Sequence, residues 1–217
     1  MIKKLKQGFN AAAAAIGLSI LVACATTKSP VPDPPPSAPS GLRTLTSGEI
    51  VLVARTVFAD TIDYSDVYIK TKNLPSRSKA FNGIIRFSTH DYSDDFSREN
   101  LSKRTTFIHE LEHMRQEQTG TNLIFSAIGL FIQGFYKDNK AYDYGDVTSI
   151  ERFSELNIKQ KAKLTGDFYA ACESYPDFTS KIFKSNNCDF QRDSAKVLND
   201  HLPQLQICPG CNEYAIV

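Results

Sequence analysis

The 217-residue sequence lacks several features that would place it in a large class of proteins. It has no cluster or stripe of basic residues, so a nucleic-acid-binding protein is not indicated. It has no apolar run of about 20 residues, the length that spans a bilayer as a helix. It also has no internal repeat. A single domain of ordinary size, over residues 45–217, is therefore expected.

The N terminus is predicted to be a targeting segment and not a part of the folded domain. Three lysines precede residue 7, and a short apolar run follows over residues 11–22. Such an arrangement is typical of a signal peptide, here residues 1–23. The sequence Leu-Val-Ala-Cys, which ends at Cys24, resembles a bacterial lipobox. The resemblance implies lipidation of Cys24. With Ala25 next to it in place of aspartate, it also implies an outer-membrane lipoprotein, facing the periplasm or the cell exterior.

Residues 24–44 are predicted to form a tether between the lipid and the domain. Six prolines fall within residues 30–39, and such a segment favours an extended, semi-rigid spacer. Removal of residues 1–23 removes three lysines and no acids, which leaves 22 basic and 24 acidic residues and a formal charge of −2. Contact with the membrane is therefore expected through the lipid and not through charge.

The clearest candidate for a catalytic or metal site is the stretch His109-Glu110-Leu111-Glu112-His113. Residues four apart lie on one face of a helix, so His109 and His113 can direct two imidazoles at one Zn²⁺ ion. Glu110 would then act as the general base for metal-bound water. The inverted motif, with Glu112 as the base, fits equally well. The pattern alone leaves both carboxylates open.

Hydrophobic periodicity and capping signals predict an α+β fold that is mostly helical, with a small β-sheet beside the His-Glu-x-x-His helix. Thr46 and Glu49 form the expected capping box of a first helix, and Asn157 and Gln160 that of a later one. The other expected elements are strands at 67–70 and 83–88, helices at 99–118, 123–135 and 157–172, and short helices at 178–183 and 195–202.

The remaining cysteines are expected to form structural disulfides, because the predicted compartment is oxidising. Four cysteines allow three pairings. We favour Cys172 with Cys188, and Cys208 with Cys211 in a tight local loop. A four-thiolate zinc site would need a second Cys-x-x-Cys motif, which Cys172 and Cys188 do not form.

Several segments resemble the metallopeptidase-like domains of the Vgr-related proteins of type VI secretion. They lie in consistent order between residues 46 and 170: Ser47-Gly48-Glu49-Ile50, Ile62-Asp63-Tyr64-Ser65, Asn82-Gly83-Ile84, Asp95-Phe96-Ser97, the His109–His113 motif with Gln116, and Asn157-Ile158-Lys159-Gln160 with Asp167-Phe168-Tyr169. The resemblance implies a zincin-like α+β domain with Glu110 as the base.

One position departs from that family, which carries a glutamate as the third zinc ligand where this chain has Lys159. An ammonium group cannot coordinate zinc. Glu155 is the first candidate for a relocated ligand and Glu151 a weaker one; otherwise the site has lost its metal or its activity.

Two functions follow from the sequence. The first is a lipid-anchored zinc metallopeptidase of the bacterial envelope that acts on a protein or peptide substrate. The alternative is a non-catalytic envelope lipoprotein that binds a secretion or cell-wall partner.

Overall fold

A computed structural model of the chain describes residues 39–72, 78–174, 181–199 and 202. The predicted signal peptide, Cys24, most of the tether, Cys208 and Cys211 lie outside these residues, as does the side chain of Cys188. Lipidation and the disulfide pairing therefore stay predictions. No helix in the described ranges is long and apolar enough to cross a membrane.

The domain is α+β and mostly helical, as the sequence predicted. It contains five α-helices among the described residues. These are α1 (Ser47–Thr56), α2 (Leu101–Gln118), α3 (Leu123–Ile132), α4 (Ile158–Glu173) and α5 (Lys181–Leu198).

Four short strands form one mixed sheet in the order β1-β2-β4-β3. The strands are β1 (Arg43–Thr44), β2 (Tyr68–Lys72), β3 (Lys79–Phe81) and β4 (Ile84–Ser88). The central pair β2 and β4 is parallel, and the two edge strands are antiparallel to their neighbours. The central pair confirms the two strands expected from sequence. The edge strands were missed, since two or three residues are too few to show an alternating pattern.

Capping residues set the helix boundaries much as the sequence indicated. Thr46 caps α1 in a reciprocal box with Glu49, and Asn157 caps α4 in a second box with Gln160. Asn100 caps α2 by accepting a hydrogen bond from the backbone of Lys103. Each cap satisfies backbone N–H groups that have no partner within the helix.

The C-terminal helices differ from the expectation. In place of two short helices at 178–183 and 195–202, the chain forms the single helix α5 from Lys181 to Leu198. Polar and charged residues separate the two apolar segments. Charged side chains are compatible with an uninterrupted helix, however, when one face packs against the core, as Val197 and Leu198 do.

A buried carboxylate ties the first elements together. Glu49 is fully buried and accepts hydrogen bonds from both terminal nitrogens of Arg43 at 2.8 Å. It also accepts from the backbone N–H groups of Thr46 and Phe96. The pair therefore joins β1, α1 and the 3₁₀ turn at Phe96–Arg98 beneath α2.

Candidate functional site

The site lies where α2 passes between strand β3 and helix α4. A cleft of about 320 Å³ opens there. The residues that line it come from the position before β3, the loop after β4, α2, the segment before α4, and α4 itself: Ser78, Asp91, Thr105, Thr106, His109, Glu110, Tyr142, Lys159, Lys163, Gly166 and Asp167. Two of the predicted site residues, His109 and Glu110, are among them.

The two motif histidines are neighbours on α2, with ring centroids 5.2 Å apart in an edge-on arrangement. The orientation of His113 follows from Gln116. The Gln116 amide donates to Glu112 Oε1 and to the Ile158 carbonyl, so its own oxygen faces His113 Nδ1 at 3.2 Å. Nδ1 therefore carries the proton, and the lone pair of His113 Nε2 points away from Gln116.

That lone pair meets Lys159. The Lys159 Nζ lies 3.1 Å from His113 Nε2, so the ammonium donates a hydrogen bond to the nitrogen that a metal would use. Lys159 also lies 5.9 Å from the ring centroid of Tyr142. Burial lowers the pKa of Lys159, and the nearby Glu110 carboxylate opposes that shift.

Glu110 is buried beside this pair. Burial raises its pKa to about 7, while Lys159 and a hydrogen bond from the backbone of Ala80 act in the opposite direction. Its Oε2 has no hydrogen-bond partner within the ranges that the structure describes. A buried carboxylate oxygen without a partner is uncommon and identifies a position where a ligand group can bind.

Burial also acts on the two histidines. It lowers the pKa of His109 to about 4, with Lys159 contributing in the same direction. Burial and then Lys159 lower the pKa of His113 well below its ordinary value. His109 is further held by a hydrogen bond to the backbone of Ala162 and by the ring of Tyr142, whose centroid lies 6.3 Å away. Both imidazoles are therefore neutral near pH 7.

Glu112, the other carboxylate of the motif, points elsewhere. It is fully buried and accepts two hydrogen bonds from Arg115, at 2.7 and 2.8 Å, and one from Gln116. Glu112 is not a cleft residue. Of the two carboxylates that the pattern left open, only Glu110 faces the cleft.

The predicted third ligand is not brought to the histidines. Glu155 lies in a 3₁₀ turn with its side chain exposed, where it accepts two hydrogen bonds from Arg152. Glu151 is also exposed. Across the described part of the chain, no three His, Cys, Asp or Glu side chains form a group that could hold a metal ion. The residues present therefore do not fit a three-ligand zinc site, because an ammonium lies against one of the two imidazoles.

The chain resembles part of a type VI secretion spike protein. It is 31% identical over 145 residues to the type VI secretion system spike protein VgrG2b of Pseudomonas aeruginosa. The match covers 62% of this chain but only 13% of that protein.

Among solved structures, the effector domain of Pseudomonas aeruginosa VgrG2b matches with 27% identity and a TM-score of 0.49. That match covers 71% of this chain and 84% of the effector domain. No protein-family model matches the chain. The sequence similarity supports the relation to the Vgr-related proteins, and the zincin-like designation stays a hypothesis.

Sequence reasoning found the two histidines, Glu110 and the substitution at Lys159, but missed the pair of Lys163 with Asp167. Tyr144 donates a hydrogen bond to Asp167, which also pairs with Lys163 on the same helix. The Lys163 and Asp167 spacing of four residues was a detectable signal for a helical ion pair. The contact between Lys159 and His113 spans 46 residues of sequence and had no such signal.

Proposed function

We propose that this domain is a metal-independent, non-hydrolytic relative of the VgrG2b effector domain that binds a protein partner of the bacterial envelope in the cleft beside α2. The hydrogen bond from Lys159 Nζ to His113 Nε2 carries this proposal. It favours the second of the two functions that the sequence suggested.

The ammonium and a zinc ion compete for the same lone pair. A divalent cation that reached His113 Nε2 would have to displace Lys159 or lie beside a like charge in a largely buried site, where charges are weakly screened. It would also lack a third protein ligand, which catalytic zinc sites ordinarily have. Both obstacles arise from Lys159.

The cleft nevertheless offers a polar binding surface. Glu110 Oε2 is an acceptor without a partner among the described residues, and an ammonium group has three hydrogens, only one of which is directed at His113. A peptide segment presents both N–H and C=O groups, so one backbone amide can donate to Glu110 while a carbonyl accepts from Lys159. Thr105 and Thr106 add small polar side chains at the same cleft.

The similarity supports one class of partner. The relative is a spike protein of a type VI secretion system. We propose that the partner is a secretion or cell-wall component, encountered at the outer membrane where the predicted lipid on Cys24 would hold the chain.

The competing function is the zinc metallopeptidase. One observation favours it, since Glu110 has a pKa near 7, close to the value that suits a general base at neutral pH. For hydrolysis, Lys159 would have to leave His113 and another group would have to complete the metal site.

Metal analysis and proteolysis separate the two functions. We expect the purified protein, equilibrated with excess zinc and then freed of loosely bound metal, to contain no more zinc than its His113→Ala variant. Its activity on an unfolded protein substrate should match that of Glu110→Gln. Near-stoichiometric zinc that is lost in His113→Ala, together with hydrolysis that is lost in Glu110→Gln, would overturn the proposal.

Partner binding needs its own test. A photo-crosslinking amino acid at Thr106, in the cleft, is expected to give a discrete covalent adduct with an envelope protein in cells. The same group at Arg98, an exposed position on the 3₁₀ turn before α2, serves as the matched control. Identical adduct patterns from both positions would count against the cleft as the binding site.

A further inference from the structure

Helix α3 exposes a continuous apolar face to solvent. Of the eight large hydrophobic residues that the structure describes as exposed, six lie between residues 124 and 136. Phe125, Phe131 and Ile132 are 73%, 72% and 77% exposed. Exposure of this extent on one element indicates an interaction surface and not scattered surface apolar residues.

The two sides of α3 have different surroundings. Leu123, Ala127 and Leu130 face inward and pack in a small cluster with Ile158 and Tyr142. The exposed residues recur at helical spacing and, at 3.6 residues per turn, occupy about a third of the circumference. This outer face comprises Ile124, Phe125, Ile128, Phe131 and Ile132. Within the part of the chain that the structure describes, the helix is thus anchored on one side and uncovered on the other.

The charge pattern favours lipid over protein as the occupant. Residues 122–136 contain no charged side chain, so the whole segment can enter a bilayer interface without desolvating an ion. The exposed Lys137 and Lys140 follow immediately, with Asp138 between them. An apolar helix face bordered by lysines suits the headgroup boundary of an anionic bilayer.

The predicted anchor keeps a membrane within reach. Cys24, the expected lipidation site, precedes Pro39 by 15 residues, and an extended chain of that length spans at most about 50 Å. A tether of this length holds the domain at a high effective concentration near the bilayer, so a weak surface contact suffices.

From the face, the charge pattern and the tether together, we propose that the outer face of α3 lies in the lipid surface of the membrane that anchors the chain. The inner face of α3 packs on Tyr142, which lines the cleft. Docking through α3 would therefore hold the cleft close to the membrane. The inference does not depend on whether the cleft binds or hydrolyses its ligand.

The absence of tryptophan from the chain makes a direct test possible. Phe131→Trp places a single fluorophore on the exposed face, and His90→Trp places one at a position that is 94% exposed elsewhere on the domain. Each full-length lipoprotein is reconstituted into vesicles of phosphatidylethanolamine and phosphatidylglycerol, with or without brominated acyl chains. The N-terminal attachment is identical in the two variants, so only the environment of the fluorophore differs.

We expect the emission of Phe131→Trp to shift to shorter wavelength on reconstitution and to be quenched by the brominated chains. His90→Trp should show neither change. Adding Phe125→Ser and Ile132→Ser to Phe131→Trp should remove most of the quenching. Equal quenching in both single variants, or none in Phe131→Trp, would overturn the proposal. A concentration-dependent blue shift without vesicles would instead assign the face to a second copy of the chain.

Discussion

Replacing Lys159 by glutamate should turn the cleft into a zinc site. The substitution removes the ammonium that donates to His113 Nε2 and puts a carboxylate on the same turn of α4. In a tetrahedral zinc site with bonds of about 2.0 Å, two ligand atoms lie about 3.3 Å apart. Lys159 Nζ lies 3.1 Å from His113 Nε2. The Lys159 side chain therefore reaches the distance at which a ligand atom must lie, and a glutamate at this position is one bond shorter.

The magnitude follows from linkage. A metal that binds only the folded protein, supplied at about one hundred times its dissociation constant, adds about 2.7 kcal/mol to the free energy of unfolding. For a domain of this size each kcal/mol raises Tm by about 2–4 °C, so zinc should raise the Tm of Lys159→Glu by about 5–10 °C. Wild type should show no such rise, because its Lys159 ammonium opposes the metal.

The assay is thermal unfolding with and without zinc, combined with metal content by mass spectrometry. Lys161→Glu is the matched control, since it makes the same charge change on the same helix. Lys161 lies over the ring of Phe153 and does not line the cleft. Lys159→Met removes the ammonium without adding a ligand and separates relief of repulsion from coordination.

Zinc should bind Lys159→Glu and be lost when His113→Ala is added. A folded Lys159→Glu variant that takes up no more zinc than Lys161→Glu would refute the expected coordination. Equally tight zinc binding by Lys159→Met and Lys159→Glu would also refute it, since the carboxylate would then contribute nothing.

Four further predictions concern titratable groups of the domain. Burial raises the pKa of Glu110 from 4.5 to about 7, so the folded state binds more protons than the unfolded state in that interval. The stability contributed by this group is present below pH 4.5 and is lost as the pH rises to 7. The difference in unfolding free energy between wild type and Glu110→Gln, measured by urea denaturation, should therefore fall by about 3 kcal/mol over that interval. A constant difference would contradict the buried position of Glu110. The His109 ring should stay neutral down to about pH 4 in an NMR titration, and protonation near pH 6.5 would contradict its burial. Glu49→Ala should cost about 3–5 kcal/mol in urea denaturation, because it leaves Arg43 without its carboxylate. The exposed Glu155→Ala should cost at most about 1 kcal/mol and leave the zinc content of Lys159→Glu unchanged.

Local signals in the sequence predicted much of the fold. The capping boxes at Thr46 and Asn157 placed the starts of α1 and α4 because a cap is a contact between residues three apart. Strand β3 was not predicted, since three residues do not establish a period, and its place beside α2 depends on pairing with β4. The sequence thus indicated the helix that carries the motif but not the strand that borders the cleft.

In the site, too, the features set by local spacing could be predicted and those set by other contacts could not. The spacing of His109 and His113 is local, and the structure does place the two rings side by side. The choice between Glu110 and Glu112 was not local, because it depends on Arg115 and Gln116 drawing Glu112 away from the cleft. The sequence His109–His113 fits both motifs and does not show which residues pair with Glu112.

The two histidines are oriented by contacts within the protein. In zinc sites, a hydrogen bond to the far nitrogen of each histidine fixes which nitrogen faces the metal. Here Gln116 does this for His113, and the backbone of Ala162 holds His109. Neither contact requires a metal, and the imidazole that Gln116 orients presents its lone pair to Lys159. The same orientation would serve zinc in Lys159→Glu, which is why a single substitution should suffice to create the site.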